Sequence, residues 1–119
     1  MLSLALALAS MPICPSGPRD NCVHDGDTLW WAGEKIRIAN IDTPELRGQC
    51  EAETNLAYAA RDRLAVLLGD GFTIHREGRD RYGRTLARLT VNGRDVGSML
   101  VAEGYARRWD GARRGWCSG

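Results

Sequence analysis

The sequence is poor in the residues that several kinds of site chemistry need. Only two histidines occur, His24 and His75, in different strand-like segments, and no Cys-x-x-Cys pair or His/Cys cluster accompanies them. A zinc site of the usual ligand spacing is therefore excluded, and a histidine–metal centre or a Ser/His triad lacks partners, so both histidines read as structural. No Asp-x-Asp-x-Asp-Gly run is present, which excludes an EF-hand calcium loop. The apolar run Leu2–Ala9 is far short of the roughly 20 residues a bilayer span requires. Lysine is almost missing, with Lys35 the only one among 16 basic residues, and the net charge of +1 excludes a polycation.

What remains describes a folded domain with an uneven charge distribution. Hydrophobic residues at 44% and charged residues at 26% are ordinary for a globular chain, and 119 residues suit one domain with a modest core. Residues 1–75 carry six Lys+Arg against ten Asp+Glu, whereas residues 76–119 carry ten against five. An acidic half followed by a basic half suits a metal site beside an anion site. Arginine's planar donor fork can grip two phosphate oxygens at once, although GC-rich coding explains an arginine excess equally well. Residues 2–10 read as the apolar core of a secretory signal without the usual basic segment, and cleavage is expected after Ala9. Residues 1–21 are thus expected to be signal and irregular leader, and residues 22–119 the domain. Four cysteines form an even set suited to two disulfides in an oxidising compartment. Of the three possible pairings, Cys14–Cys22 with Cys50–Cys117 is expected, because each ties a flexible segment to the body.

Strand composition recurs around Cys22-Val23, at Thr28–Trp31 and at Ile36–Ile41, with Ala32-Gly33-Glu34 as a hairpin turn and Pro44 as a stop. From Glu51 to Leu68 the pattern is helical, with Leu56, Ala59, Ala60, Leu64, Leu67 and Leu68 on one stripe and Gly69 as the cap. Short strands follow at Phe72–Arg76 and Leu86–Val91, the latter closed by the hairpin dipeptide Asn92-Gly93, before a short helix over Val96–Glu103. Adjacent strand residues face opposite ways, so Trp30 or Trp31 is expected in the core, while Trp109 and Trp116 in an Arg-rich, loosely ordered tail are stacking candidates. The expectation is an α+β, mainly β fold: a five-stranded OB-type barrel with one main helix and a short second helix.

Three clusters carry chemistry. Asp27 closes the turn Asp25-Gly26-Asp27, Asp42 and Glu45 flank Thr43-Pro44, and Arg84 ends Asp80-Arg81-Tyr82-Gly83-Arg84. Two Asp carboxylates, a backbone carbonyl and waters make an open cage for a hard cation such as calcium. Arg37 and Arg84 supply charge for a five-coordinate phosphorus, and Glu45 is placed to orient or deprotonate a water. On a straight strand Arg37 would lie roughly 16 Å from Asp42, a gap that a coiled, bulged barrel strand and a long Arg side chain could close. Each cluster alone reads more readily as a turn, a chain break or a solvated face.

Together, Asp25-Gly26-Asp27-Thr28, Arg37 with Asp42-Thr43-Pro44-Glu45, and Asp80-Arg81-Tyr82-Gly83-Arg84 resemble the thermonuclease family of staphylococcal nuclease-like domains, over about residues 22–110. The resemblance implies an OB-type barrel and calcium-dependent hydrolysis of the 5′ ester bond in DNA and RNA. It implies that Asp27, Asp42 and the Thr43 carbonyl bind Ca2+, that Arg37 and Arg84 hold the phosphate with Glu45 as general base, and that Arg81 and Tyr82 border the nucleotide. A secreted or periplasmic monomer with nucleic-acid substrates and no obligate protein partner is expected. The alternative is a non-catalytic nucleic-acid-binding module on the same barrel. A calcium-buffering domain would leave Arg37 and Arg84 unexplained.

Overall fold

Short runs of β-branched and aromatic residues, punctuated by turns, build most of the chain as sheet. The computed structural model describes residues 10–111 and 114–117, so the expected signal segment at 1–9 lies outside the described residues. In order the elements are β1 (Cys22–Asp25), β2 (Thr28–Trp31), β3 (Glu34–Ile38), β4 (Ile41–Asp42), α1 (Glu51–Leu68), β5 (Thr73–Arg79), β6 (Thr85–Val91), β7 (Arg94–Asp95), α2 (Val96–Ala102) and β8 (Arg107–Arg108). The fold is mainly β with two helices.

One sheet runs β1-β2-β3-β6-β5 with β7 added to β6. Its pairs are antiparallel except β3 with β6, which is parallel and sets Ile36 beside Thr85 and Arg37 beside Leu86. Among the described residues no pairing joins β1 to β5, so the hydrogen-bonded path is open. A second, two-stranded sheet pairs β4 with β8. The core forms where inward residues of the sheet, among them Val23, Leu29, Ile36, Ile38, Ala87 and Leu89, meet Leu64 and Leu68 of α1 and Leu100 of α2, all fully buried. Both expected disulfides are present, Cys14–Cys22 and Cys50–Cys117, with Cα–Cα separations of 4.8 and 6.1 Å. Among the described residues no helix is long and apolar enough to cross a membrane.

Several expectations need correction. The strand foreseen over Ile36–Ile41 is broken after Ile38, because Ala39-Asn40 form a turn in which Asn40 takes φ +69°. The helix stripe is shifted: Glu53, Ala57, Ala60, Leu64, Ala65 and Leu68 are buried, Leu56 is half-buried and Ala59 is exposed. The stripe starts one turn earlier because Glu53, a polar residue, belongs to it. Gly69 caps α1 as expected, though in right-handed geometry, and the left-handed reversal falls on Gly71 at φ +108°. Neither Trp30 nor Trp31 is fully buried: Trp30 is half-buried, and Trp31 is exposed with its ring edge against Phe72. The leader is stitched to β1 through Cys14 N to Val23 O and Val23 N to Pro12 O, and Met11 enters the core. The tail, expected to be loose, supplies β8.

Candidate active site

Four chain segments converge on a cavity of about 270 Å³ lined by His24, Asp25, Asp27, Thr28, Lys35, Arg37, Asp42, Thr43, Glu45 and Arg84. Six of the eight sequence-nominated residues, Asp27, Arg37, Asp42, Thr43, Glu45 and Arg84, therefore line one cavity. The turn after Ile38 makes this possible. It folds the chain back so that Asp42 on β4 and Arg37 on β3 face the same space, in place of the coiled strand expected from the sequence. Ile38 N donates to Asp27 O at 2.8 Å and Ala39 N to Ala87 O at 2.8 Å, which fixes the departure point of that turn. Gly26 is required by space: a Cβ there would stand 2.9 Å from Ala60 Cβ and 3.0 Å from Thr43 Cγ2. The acidic turn thus lies directly on α1 and on the segment that carries Thr43.

Electrostatics are concentrated. The lining holds four carboxylates, Asp25, Asp27, Asp42 and Glu45, against the cations Lys35, Arg37 and Arg84. Asp27 and Asp42 are 8% and 4% exposed, while Glu45 is exposed. Asp27 receives the Thr28 hydroxyl at 3.1 Å and faces Arg37 at 3.4 Å. Asp25 accepts from Asp27 N at 3.1 Å, and burial, then the neighbouring Asp27 charge, push its carboxyl up to about 7. His24 at the edge is shifted toward the neutral form by burial and then by Arg19. Buried carboxylates set side by side are costly without a compensating cation. The carboxylates and Thr43 offer oxygen donors of the kind a hard ion such as calcium takes, beside the His24 imidazole. Among the described residues no group of three or more His, Cys, Asp or Glu side chains is placed to hold a metal ion by itself, so carbonyl, water or substrate oxygens would have to supply most of the coordination.

Arg84 is held by its own loop. Its Nε donates to Asp80 Oδ2 at 2.6 Å, and Asp80 Oδ1 accepts from the Tyr82 and Arg84 backbone N–H groups at 2.9 Å each. Burial raises the Asp80 carboxyl, but these donors outweigh it and hold the group below its ordinary value. Arg81 and Tyr82 lie outside the cavity and line an adjoining groove of about 740 Å³ that also reaches Arg37, Arg84 and Trp109. Tyr82 is 70% exposed, with the Arg81 and Arg84 guanidinium groups 5.2 and 5.5 Å from its ring centre. Trp109 is exposed in the same groove, whereas the Trp116 ring lies beneath Arg107 at 3.5 Å.

Sequence reasoning passed over Asp25, read only as part of a turn, and Lys35 and His24 at the cavity edge. It also passed over Glu53, which accepts hydrogen bonds from Glu45 N at 3.0 Å and Gln49 N at 2.9 Å. The signal that could have found Glu53 is a charged residue in step with the buried face of α1.

The family model for staphylococcal nuclease homologues matches residues 35–114, which include Arg37, Asp42–Glu45 and Arg84. The chain belongs to this family. Among curated relatives, the succinoglycan biosynthesis protein ExoI of Rhizobium meliloti is 33% identical over 71% of this chain and 48% of its own length. An uncharacterized endonuclease of Haemophilus influenzae is 32% identical over 89% of this chain and 61% of its own. Endonuclease YncB of Bacillus subtilis is 31% identical over 70% of this chain and 43% of its own. The staphylococcal nuclease-like chain thus spans about half the length of the curated relatives it matches.

Proposed function

We propose that this chain is a calcium-dependent, sugar-nonspecific nuclease that hydrolyses the 5′ ester bond of phosphodiesters in DNA and RNA. The observation that carries this reading is the single cavity in which four carboxylates meet two arginines and a lysine. Asp27, Asp42 and the Thr43 carbonyl would hold the cation, which would supply neutralisation of the phosphate charge. Arg37 and Arg84 grip non-bridging phosphate oxygens and stabilise the charge that develops on five-coordinate phosphorus. Glu45, the exposed carboxylate of the set, orients the attacking water and takes its proton. The water oxygen bonds to phosphorus as the bond to the 5′ oxygen breaks, leaving a 3′-phosphate on one fragment and a 5′-hydroxyl on the other.

The groove with Tyr82, Trp109 and Arg81 suits unstacked bases and a charged backbone, so a flexible single strand is the favoured substrate form. The strand order, with its parallel β3–β6 pair, supports reading the sheet as a partly open barrel of the OB kind. Two disulfides support a secreted or periplasmic location, and a monomer suffices for a cavity built from one chain.

The test is cleavage of single-stranded DNA and RNA with calcium or with chelator, beside Glu45→Gln and Arg84→Ala. Calcium-dependent cleavage and losses of about 10²–10³ in each variant are expected. Chelator-resistant cleavage, or full activity in both variants, overturns the mechanism. Wild-type binding without cleavage would instead establish a binding module.

A further inference from the structure

Glu45 stands on a segment without regular structure, residues 43–50, between β4 and α1. A group that must meet a water within a few tenths of an ångström needs a fixed backbone beneath it. Three backbone N–H groups of this segment donate to side chains of α1. Glu45 N reaches Glu53 Oε2 at 3.0 Å, Gln49 N reaches Glu53 Oε1 at 2.9 Å, and Gly48 N reaches Thr54 Oγ1 at 3.0 Å. Glu53 is 5% exposed, so the two bonds to its carboxylate form largely shielded from competing water. The segment also rests on the Glu53 side chain itself: a Cβ at Gly48 would lie 2.7 Å from Glu53 Cγ and 2.8 Å from its Cβ. Cys117, bonded to Cys50, sits with Sγ 3.8 Å from Glu53 Oε1 and helps to close the carboxylate off.

We infer that Glu53 is a positioning residue for the proposed reaction, acting through Glu45 rather than on substrate. The inference rests on the reading of Glu45 given above. A carboxylate offers acceptors only, and here one oxygen serves each end of the loop. Glutamine in its place turns an NH2 toward one of the two N–H groups and releases that end.

The experiment is a double-mutant cycle of Glu53→Gln with Glu45→Gln, measuring kcat and KM on single-stranded DNA well below the melting transition, with calcium affinity measured by calorimetry. Glu53→Gln is expected to lower kcat about 10- to 100-fold with KM and calcium affinity within about twofold. In the Glu45→Gln background the same substitution is expected to cost nothing further. Should Glu53→Gln fail to fold, Gly48→Ala replaces it in the cycle with the same expectation. Full kcat in the folded variant, or an equal loss in both backgrounds, overturns the inference while leaving the role of Glu45 intact. Full activity of Glu45→Gln alone removes the underlying reading, and the inference with it.

Discussion

Gly26→Ala is the substitution that most directly tests how the cavity is built. The added Cβ would stand 2.9 Å from Ala60 Cβ, 3.0 Å from Thr43 Cγ2 and 3.1 Å from Thr43 Cβ. Carbons at rest sit about 3.5–4.0 Å apart, so the acidic turn must retreat by roughly 0.5–1 Å. Neither neighbour is the yielding end of a long side chain, since Ala60 is fully buried and Thr43 is 3% exposed. Overpacking of this kind costs about 1–3 kcal/mol, and each kcal/mol lowers the melting temperature of a domain this size by roughly 4–8 °C. The displacement falls between Asp27 and Thr43, where a shift of about 1 Å can cost about 10²-fold in rate. Calorimetry is therefore expected to show a Tm lower by at least about 4 °C, with single-stranded DNA cleavage reduced about 10- to 100-fold. Gly17→Ala is the control, because nothing lies within 4 Å of a Cβ there. Thr43→Ser in the Gly26→Ala background removes the Cγ2 contact, keeps the carbonyl, and should recover part of the activity. A Gly26→Ala protein that melts with the wild type and cleaves at its rate would refute the reasoning.

Further tests follow the same geometry. Glu34 is held at about 2, first by its hydrogen bond from Arg76 and then by that from Thr85, at 2.5 and 2.6 Å. Its folded value lies below the unfolded 4.5, so its contribution is complete above pH 4.5 and is lost as pH falls toward 2. Glu34→Gln should lower Tm by a few degrees at neutral pH, and the deficit should vanish in acid melts near pH 2; a deficit that grows in acid would contradict this. The Cys50–Cys117 bond closes 67 residues and Cys14–Cys22 closes 8, so loop entropy predicts losses of about 4 and about 2.5 kcal/mol for the paired serine variants in guanidinium unfolding. The reverse order would show that native contacts, not chain constraint, set these contributions. Tyr82→Ala and Trp109→Ala should each raise KM for single-stranded DNA about tenfold at unchanged kcat, from lost stacking of about 1–3 kcal/mol. Unchanged KM would remove the groove from the substrate path.

The chain announced its elements more clearly than their geometry. Helix α1 was legible from Glu51 to Leu68 because eighteen residues average over local exceptions. The Asn92-Gly93 hairpin was legible because both residues take positive φ, at +52° and +77°. The break after Ile38 was hidden, since Ile36–Ile41 has uninterrupted strand composition and Asn40 alone marks the turn. That hidden turn is what brings Arg37 to Asp42, so the motifs and the resemblance they carry could be read from the sequence while the reason for their convergence could not. Glu53 could have been marked as a charge in step with the buried face of α1, but its role could not be read, because its partners are backbone N–H groups and a sequence does not show which backbone groups lack partners. β8 was unreadable because Arg107-Arg108 has no strand character, and only its pairing with Ile41-Asp42 defines it.

That pairing makes the site depend on the far end of the chain. Asp42 belongs to a strand of two residues whose sheet partner lies more than sixty positions further along the chain. Trp109 N donates to Asn40 O at 2.9 Å and extends the tie past the turn. A chain ended before Arg107 would contain every nominated residue and still lack the strand that seats one of its acidic groups. Under the proposed function, cleavage would therefore depend on β8 being in place, and a chain clipped before Arg107 is expected to lose activity although it keeps those residues.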